Sequence, residues 1–247
     1  MNCDYCPQKI HVKNYTQKTR HTVMKLEDFK TILSTVPKEC DIEFAGMAEP
    51  WLNPACTDMV EYAFDQGYRV GVYTTLSGMR IADVIRISDL PFTHFTLHLP
   101  DADGHMNLTV DNKYLSVLQM ALKLDVQLMC IGKLHPEVKD ITGPVIDGSV
   151  GLFSRAGNLK TLAINLKKGR LQCSACGPKI DHNVVLPNGD VLLCCMMYDN
   201  SHVIGNLLTM KHEELFQSEE YKRVMRGLDG DESIDLKCRM CELAMPI

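Results

Sequence analysis

The sequence opens with Met1-Asn2-Cys3-Asp4-Tyr5-Cys6, which places two cysteines two residues apart. This spacing lets a tight loop aim both sulfur atoms at one metal centre. An iron–sulfur cluster takes thiolates as ligands, and a zinc ion accepts the same pair. Pro7 follows at once, and a turn with glycine and an acidic residue, Gly46-Met47-Ala48-Glu49-Pro50, comes later in the chain. The opening residues therefore predict a metal centre.

Strand and helix patterns alternate through the first two thirds of the chain. Strand patterns cover residues 41–46, 69–75, 92–99, 126–131 and 149–153, and helical patterns cover 25–36, 55–64, 81–87, 114–123 and 136–141. Such alternation is typical of a parallel sheet with right-handed crossover helices. Functional groups of such folds gather where the strands end. The turn at 46–50 and the segments starting at Thr74, His98 and Ser154 all follow predicted strands.

The composition of the 247 residues is that of an ordinary globular protein, with 45% hydrophobic and 23% charged residues. The net charge is −5 and no basic run stands out, so no nucleic-acid partner is expected. No apolar stretch reaches the roughly 18 residues that a membrane-spanning helix needs. The first residues show no signal-peptide pattern. We therefore expect a cytoplasmic protein without a membrane partner.

Eleven cysteines are many for a chain of this length, and they are unevenly placed. Six crowd the last third: Cys173, Cys176, Cys194, Cys195, Cys238 and Cys241. Without a secretory signal, clustered C-x-x-C pairs favour metal or cluster binding over disulfides. The scattered Cys40, Cys56 and Cys130 are expected to be small buried side chains.

The C-x-x-C opening and the Gly46–Pro50 turn together resemble the radical SAM enzymes. In that family a C-x-x-x-C-x-x-C loop after the first barrel strand holds a [4Fe–4S] cluster. The resemblance implies an α/β fold, a partial (β/α)6 TIM-type barrel over residues 1–165, with its first strand absent from this chain. Counting back from Cys3 places the first cysteine of the loop two residues before Met1. We expect either a start codon placed too late or a truncated, inactive remnant.

The resemblance also implies the residues that bind the cofactor. Cys3 and Cys6 would hold the radical SAM cluster, and Gly46 and Glu49 would grip the amino group of S-adenosylmethionine (AdoMet). Further candidates are Thr75 at the end of its predicted strand, the strand residue His98, and the loop residue Arg155, the last for the AdoMet carboxylate. A capping turn, a structural histidine and a surface arginine are the respective alternatives.

The tail combines Cys173-Ser174-Ala175-Cys176 with an Asn188-Gly189 hairpin signal, the pair Cys194-Cys195 and a final Cys238-Arg239-Met240-Cys241. A closed four-thiolate site is easily assembled from these cysteines, and spacing alone leaves zinc and iron–sulfur open. Gly189-x4-Cys194, with its flanking cysteines, resembles the SPASM-type extension of radical SAM enzymes. Over residues 170–247 this implies one auxiliary [4Fe–4S] cluster. Its expected ligands are Cys176, Cys194, Cys238 and Cys241, with Cys173 and Cys195 as alternates.

The resemblance implies an oxidoreductase that cleaves AdoMet reductively to a 5′-deoxyadenosyl radical, which abstracts hydrogen from a substrate. A small molecule or carbohydrate is the preferred substrate, and a flavodoxin or ferredoxin is the expected electron donor. Two alternatives are kept, a radical SAM maturase of peptides or proteins and a non-catalytic iron–sulfur or zinc-binding protein.

Overall fold

The computed structural model describes residues 3–145, 153–159 and 165–247. Its α-helices are α1 (Gln8–Lys18), α2 (Leu26–Leu33), α3 (Cys56–Asp65), α4 (Ile81–Ile87), α5 (Asn112–Ala121), α6 (Pro136–Thr142), α7 (His212–Leu215) and α8 (Glu219–Leu228). Its strands are β1 (Ile42–Phe44), β2 (Val70–Thr74), β3 (His94–Leu99), β4 (Gln127–Cys130), β5 (Leu171–Cys173), β6 (Val184–Val185), β7 (Asp190–Leu192), β8 (Val203–Asn206) and β9 (Ala244–Pro246). Short 3-10 helices cover Pro50–Leu52 and Lys237–Met240. Within the described ranges, no helix is both long and apolar enough to cross a membrane.

Two compact units divide the described chain. The first comprises residues 3–4 and 37–145, and the second comprises 5–36, 153–159 and 165–247. Cys3 therefore belongs to the first unit and Cys6 to the second. The predicted domain limits of 1–165 and 170–247 remain a prediction.

A four-stranded parallel sheet in the order β1-β2-β3-β4 organises the first unit. Each strand pairs with the next along the chain, and helices α3, α4 and α5 provide the crossovers. Alternate residues of β3, Phe95, Leu97 and Leu99, are at most 1% exposed and pack in the main core. Thr96 and His98 lie on the opposite face of the same strand. The predicted α/β fold with a parallel sheet is confirmed.

Smaller antiparallel sheets build the second unit. β6, β7 and β8 form one of them, and β5 pairs with β9 in the other. The connection between β6 and β7 contains Asn188-Gly189, as the sequence predicted. Gly189 has a φ of +84° and its carbonyl accepts a hydrogen bond from the N–H of Leu207. The turn thus holds β6 to β7 and also fixes the end of β8.

One helix was missed from the sequence, and one predicted strand falls almost entirely outside the described residues. The apolar residues from Leu215 to Met225 are divided between α7 and α8, because Ser218 begins α8 by accepting the N–H of Tyr221. Helix α1 was missed, because it has no apolar face and buries only His11 and Tyr15. The strand predicted over 149–153 lies outside the described residues except for Phe153.

Replacing Gly189 with alanine should lower the free energy of unfolding by about 2–3 kcal/mol. The left-handed backbone costs an alanine roughly 1–2 kcal/mol, and the new Cβ would lie 2.7 Å from Asn206 Oδ1 and from Leu208 Cγ. Gly169→Ala is a matched control with a φ of +69° and open space around its Cβ, so it should cost only about 1 kcal/mol. Urea unfolding followed by circular dichroism measures both. Equal losses of unfolding free energy in the two variants would show that the close approach of Gly189 to Asn206 and Leu208 does not contribute to stability.

Candidate functional site

Six cysteines of the tail line one cavity of about 50 Å³ in the second unit. Cys173 ends β5 and Cys176 lies in the turn after it, whereas Cys194 and Cys195 follow the hairpin strand β7. The last pair comes from the 3-10 helix at Lys237–Met240 and the residue after it. Apolar side chains, among them Ile180, Met197 and Leu228, complete the lining. The fold therefore brings together thiols from three separate stretches of chain.

Burial separates the six thiols into two groups. The four predicted ligands are each 7–8% exposed, namely Cys176, Cys194, Cys238 and Cys241. Cys173 is half-buried and Cys195 is exposed. The sulfur of Cys173 nevertheless accepts a hydrogen bond of 3.2 Å from the N–H of Cys176. The burial pattern supports the predicted set of four, while Cys173 and Cys195 stay alternates.

The chemistry of the cavity suits a bound metal cluster. Burial, together with the neighbouring Cys241 and Cys173, raises the pKa of the Cys238 thiol to about 12. Burial also raises the pKa of Cys176 and of Cys194. These thiols are therefore neutral until a metal replaces their protons, and metal binding must release those protons.

Arg239 fixes the loop that carries the last cysteine pair. Its guanidinium donates to four backbone carbonyls, at 3.2 Å for Lys167, Gly169 and Asp231 and at 2.9 Å for Gly227. The ammonium of Lys167 donates to the carbonyl of Ala244 at 2.5 Å and to that of Cys241. Because the backbone on both sides of the pair is held in this way, Cys238 and Cys241 are pre-positioned towards the cavity.

Glu49 joins the ends of two strands in the first unit. The side chain is 7% exposed, and it accepts hydrogen bonds from the hydroxyl of Thr74 at 2.6 Å and from the N–H and hydroxyl of Thr75 at 2.8 Å each. A fourth bond of 3.4 Å comes from the N–H of Trp51, where Glu49 caps the 3-10 helix. Burial raises the pKa of Glu49, although these donors oppose the shift. Two predicted cofactor residues, Glu49 and Thr75, are therefore in direct contact.

The other candidates of the first unit take different environments. Gly46 has a φ of +112°, a backbone conformation that favours glycine, and an added Cβ would meet nothing within 4 Å. His98 is half-buried on the sheet face that also carries Thr96. The Thr96 hydroxyl is buried and has no partner among the described residues. This face can therefore offer polar atoms to a ligand.

In the second unit, Cys6 meets a residue of the tail. Its sulfur lies 3.3 Å from the phenol oxygen of Tyr198, which is 4% exposed. Helix α1 binds the same loop, because His11 Nδ1 and Asn200 Oδ1 are 2.6 Å apart and Asn14 donates to the carbonyl of Asp199 at 2.8 Å. Cys6 and helix α1 are thus connected to the loop that follows Cys194.

Arg155 projects from a turn over residues 154–158, also in the second unit. Its Cζ atom lies 6.0 Å from the ring centre of Phe153 and 6.0 Å from that of Tyr198. The guanidinium forms no ion pair with any residue in the described ranges. A guanidinium without a carboxylate partner can bind an anion such as a carboxylate through two parallel hydrogen bonds.

The sequence did not predict the roles of three residues. Tyr198 contacts Cys6, Glu242 accepts the N–H of Ser154, and Arg239 anchors the loop of the final cysteine pair. The only sequence clues were that Arg239 lies inside the final C-x-x-C and that Glu242 directly follows it. Neither position indicates a partner, because the partners lie far away in the chain. No pattern indicated the contact of Tyr198 with Cys6, which are 192 residues apart.

Comparison with known proteins gives one family match. The model described as "SPASM: Iron-sulfur cluster-binding domain" matches residues 167–242, which contain all six tail cysteines. No curated protein matches the sequence.

Several solved structures have a similar fold. BtrN in complex with AdoMet and 2-DOIA is 15% identical, with a TM-score of 0.63, over 100% of this chain and 88% of BtrN. Native anSMEcpe with bound AdoMet and the Cp18Cys peptide is 14% identical, with a TM-score of 0.57, over 98% of this chain and 82% of that one. Native anSMEcpe with bound AdoMet is 13% identical, with a TM-score of 0.51, over 89% and 78% of the two chains. At these identities the likeness is one of fold.

Replacing Arg239 with lysine should lower the free energy of unfolding by about 2 kcal/mol or more. A lysine cannot reach four carbonyls with one fork, and bonds from a charged donor contribute about 1.5–3 kcal/mol each. Urea unfolding measures the loss, and iron retained after anaerobic reconstitution should fall in parallel. The exposed Arg226→Lys is the control and should change neither quantity. Wild-type stability in Arg239→Lys would contradict the anchoring role.

Glu49 should give the first unit a characteristic pH dependence. Because the folded pKa of Glu49 lies above its ordinary value of 4.5, its contribution to stability is greatest below about pH 4.5. The contribution is lost as the pH rises through the folded pKa. Unfolding free energies from pH 4 to 8 should therefore fall less steeply for Glu49→Gln than for the wild type. Glu137→Gln, on an exposed position of α6, should keep the wild-type profile. Identical profiles for all three proteins would contradict the assignment.

Proposed function

We propose that this chain, which carries a SPASM iron–sulfur cluster-binding domain on the fold of radical SAM enzymes, cleaves AdoMet reductively to modify a substrate. The observation that carries the proposal is the cavity in which four buried cysteines converge. That cavity lies inside the segment that matches the SPASM model. A small molecule or carbohydrate is the preferred substrate.

One auxiliary [4Fe–4S] cluster in that cavity is the first part of the proposal. Its ligands would be Cys176, Cys194, Cys238 and Cys241, with Cys173 and Cys195 as the alternates. The match to an iron–sulfur cluster-binding domain supports a cluster over a zinc ion. The apolar lining from Ile180, Met197 and Leu228 would keep water away from it.

A radical SAM [4Fe–4S] cluster at Cys3 and Cys6 is the second part. When bound, the cluster and AdoMet supply a 5′-deoxyadenosyl radical that abstracts hydrogen from the substrate. Gly46, Glu49, Thr75, His98 and Arg155 are proposed to hold AdoMet. The carboxylate of Glu49 already accepts four hydrogen bonds. It would therefore contribute to AdoMet binding mainly by keeping the 46–50 turn fixed against Thr75. The guanidinium of Arg155 would receive the carboxylate.

The finer architecture belongs to the same proposal. The parallel sheet would be part of a (β/α)6 partial barrel over residues 1–165, followed by an auxiliary-cluster domain over 170–247. A flavodoxin or ferredoxin would deliver the electrons.

A peptide-modifying maturase is the second candidate function. It is favoured by the structural likeness to anSMEcpe, which was solved with a bound peptide. A non-catalytic iron–sulfur or zinc-binding protein is the third candidate. Its cavity would be the same, but AdoMet would not be cleaved.

Anaerobic reconstitution followed by iron, sulfide and zinc analysis tests the cluster. The Cys194→Ser variant should lose about four iron atoms per chain relative to the wild type, the content of one [4Fe–4S] cluster. Cys40→Ser, outside the cavity, is the control and should keep the wild-type content. Zinc in place of iron and sulfide would contradict the cluster.

The same preparations test catalysis. With AdoMet and dithionite, protein that carries the complete C-x-x-x-C-x-x-C loop should produce 5′-deoxyadenosine. Iron and sulfide without this product would leave the non-catalytic candidate.

A further inference from the structure

The turn that carries Arg155 adopts an unusual backbone. Arg155 and Ala156 both have a φ of +53° and Gly157 has a φ of +79°, so three successive residues are left-handed. Residues other than glycine rarely adopt this conformation and pay free energy for it. Ala156 is fully buried at 0% exposure, so its backbone cannot relax into solvent. Something in the surrounding structure must therefore hold the turn.

The carboxylate of Glu242 is one such holder. It accepts a hydrogen bond from the N–H of Ser154. Burial raises the pKa of this carboxyl, but the nearby Ser154 hydroxyl and backbone N–H groups outweigh that effect and hold the pKa below its ordinary value. Glu242 makes this contact from an exposed position directly after Cys241.

Asn158 holds the other side of the turn. Its side-chain amide donates to the carbonyl of Arg155 at 2.8 Å and to that of Met196 at 3.2 Å. Met196 follows Cys194 and Cys195 directly. The Ser154 hydroxyl, in turn, accepts the N–H of Gly157 at 3.0 Å. The turn is thus attached to two of the three stretches that supply the cavity cysteines.

We propose that Glu242 is a positioning residue for Arg155. Its carboxylate holds the turn over residues 154–158, in which residues 155–157 are left-handed, and this conformation directs the Arg155 guanidinium to the face of Tyr198. Because Glu242 directly follows Cys241, the position of the final cysteine pair also sets the position at which Arg155 would bind an anion. This inference rests on the proposed function only in naming that anion as the AdoMet carboxylate.

Hydrogen exchange tests the hold on the turn without requiring activity. In Glu242→Ala, the amides of residues 153–159 should exchange about tenfold faster or more, since a lost bond to a charged group corresponds to at least that factor. Glu242→Gln keeps an acceptor oxygen and should give an intermediate rate. Glu219→Ala, on an exposed position of α8, is the control and should leave these amides unchanged. Unchanged exchange in Glu242→Ala would overturn the proposal.

Binding of AdoMet to the reconstituted, unreduced protein tests the action through Arg155. Arg155→Ala and Glu242→Ala should each raise the Kd, and the double variant should bind no more weakly than Arg155→Ala alone. An increase for Arg155→Ala without one for Glu242→Ala would overturn the positioning role and leave the enzyme function intact. Additive increases of the AdoMet Kd in the double variant would also overturn the positioning role and leave the enzyme function intact.

Two further outcomes distinguish a failure of the positioning role of Glu242 from a failure of the proposed function. If the wild type binds AdoMet and neither variant changes the Kd, Arg155 does not receive the carboxylate and the inference is wrong, while AdoMet cleavage stands. If the wild type does not bind AdoMet, the proposed function fails. The exchange of residues 153–159 then decides by itself whether Glu242 holds the turn.

Discussion

The convergence of buried thiols on one cavity constrains the second unit more than any other interaction. Thiols from the end of β5, from the segment after β7 and from the last C-x-x-C face the same small space. Their burial keeps them protonated without a metal, so the cavity gains its full stabilisation only when a cation replaces those protons. The hairpin, helix α8 and the backbone anchors of Arg239 all act to place these sulfurs. Much of the sequence between Leu171 and Ala244 can be understood as support for the cavity that these cysteines line.

Hydrogen bonds to carboxylates recur as the means of fixing the functional loops. Glu49 collects donors from the end of β2 and thereby fixes the turn after β1. Glu242 accepts the N–H of Ser154 in the turn that presents Arg155. In both places a carboxylate helps to fix a loop without regular structure. Loops held in this way can keep their polar and charged groups available to a ligand.

Much of the fold was predictable because its signals are local. The α/β alternation, the boundaries of α4 and the hairpin at Asn188-Gly189 follow from apolar periodicity and turn chemistry over a few residues. Helix α1 was not predictable in this way, since polar contacts of His11 and Asn14, and not an apolar stripe, hold it in place. The division of α7 from α8 depended on a single capping serine.

The sequence by itself determined the residue types of the site, the two cysteine-rich ends and the order of strands and helices. Spacing within each C-x-x-C is a local property, so it can be read without a fold. Only the tertiary structure decided which thiols share a cavity, that Glu49 is bound to Thr75 26 residues away, and that Glu242 contacts a turn 88 residues away. Such partners are chosen by how the chain packs, and a hydrogen bond between distant residues leaves no periodic trace in the sequence.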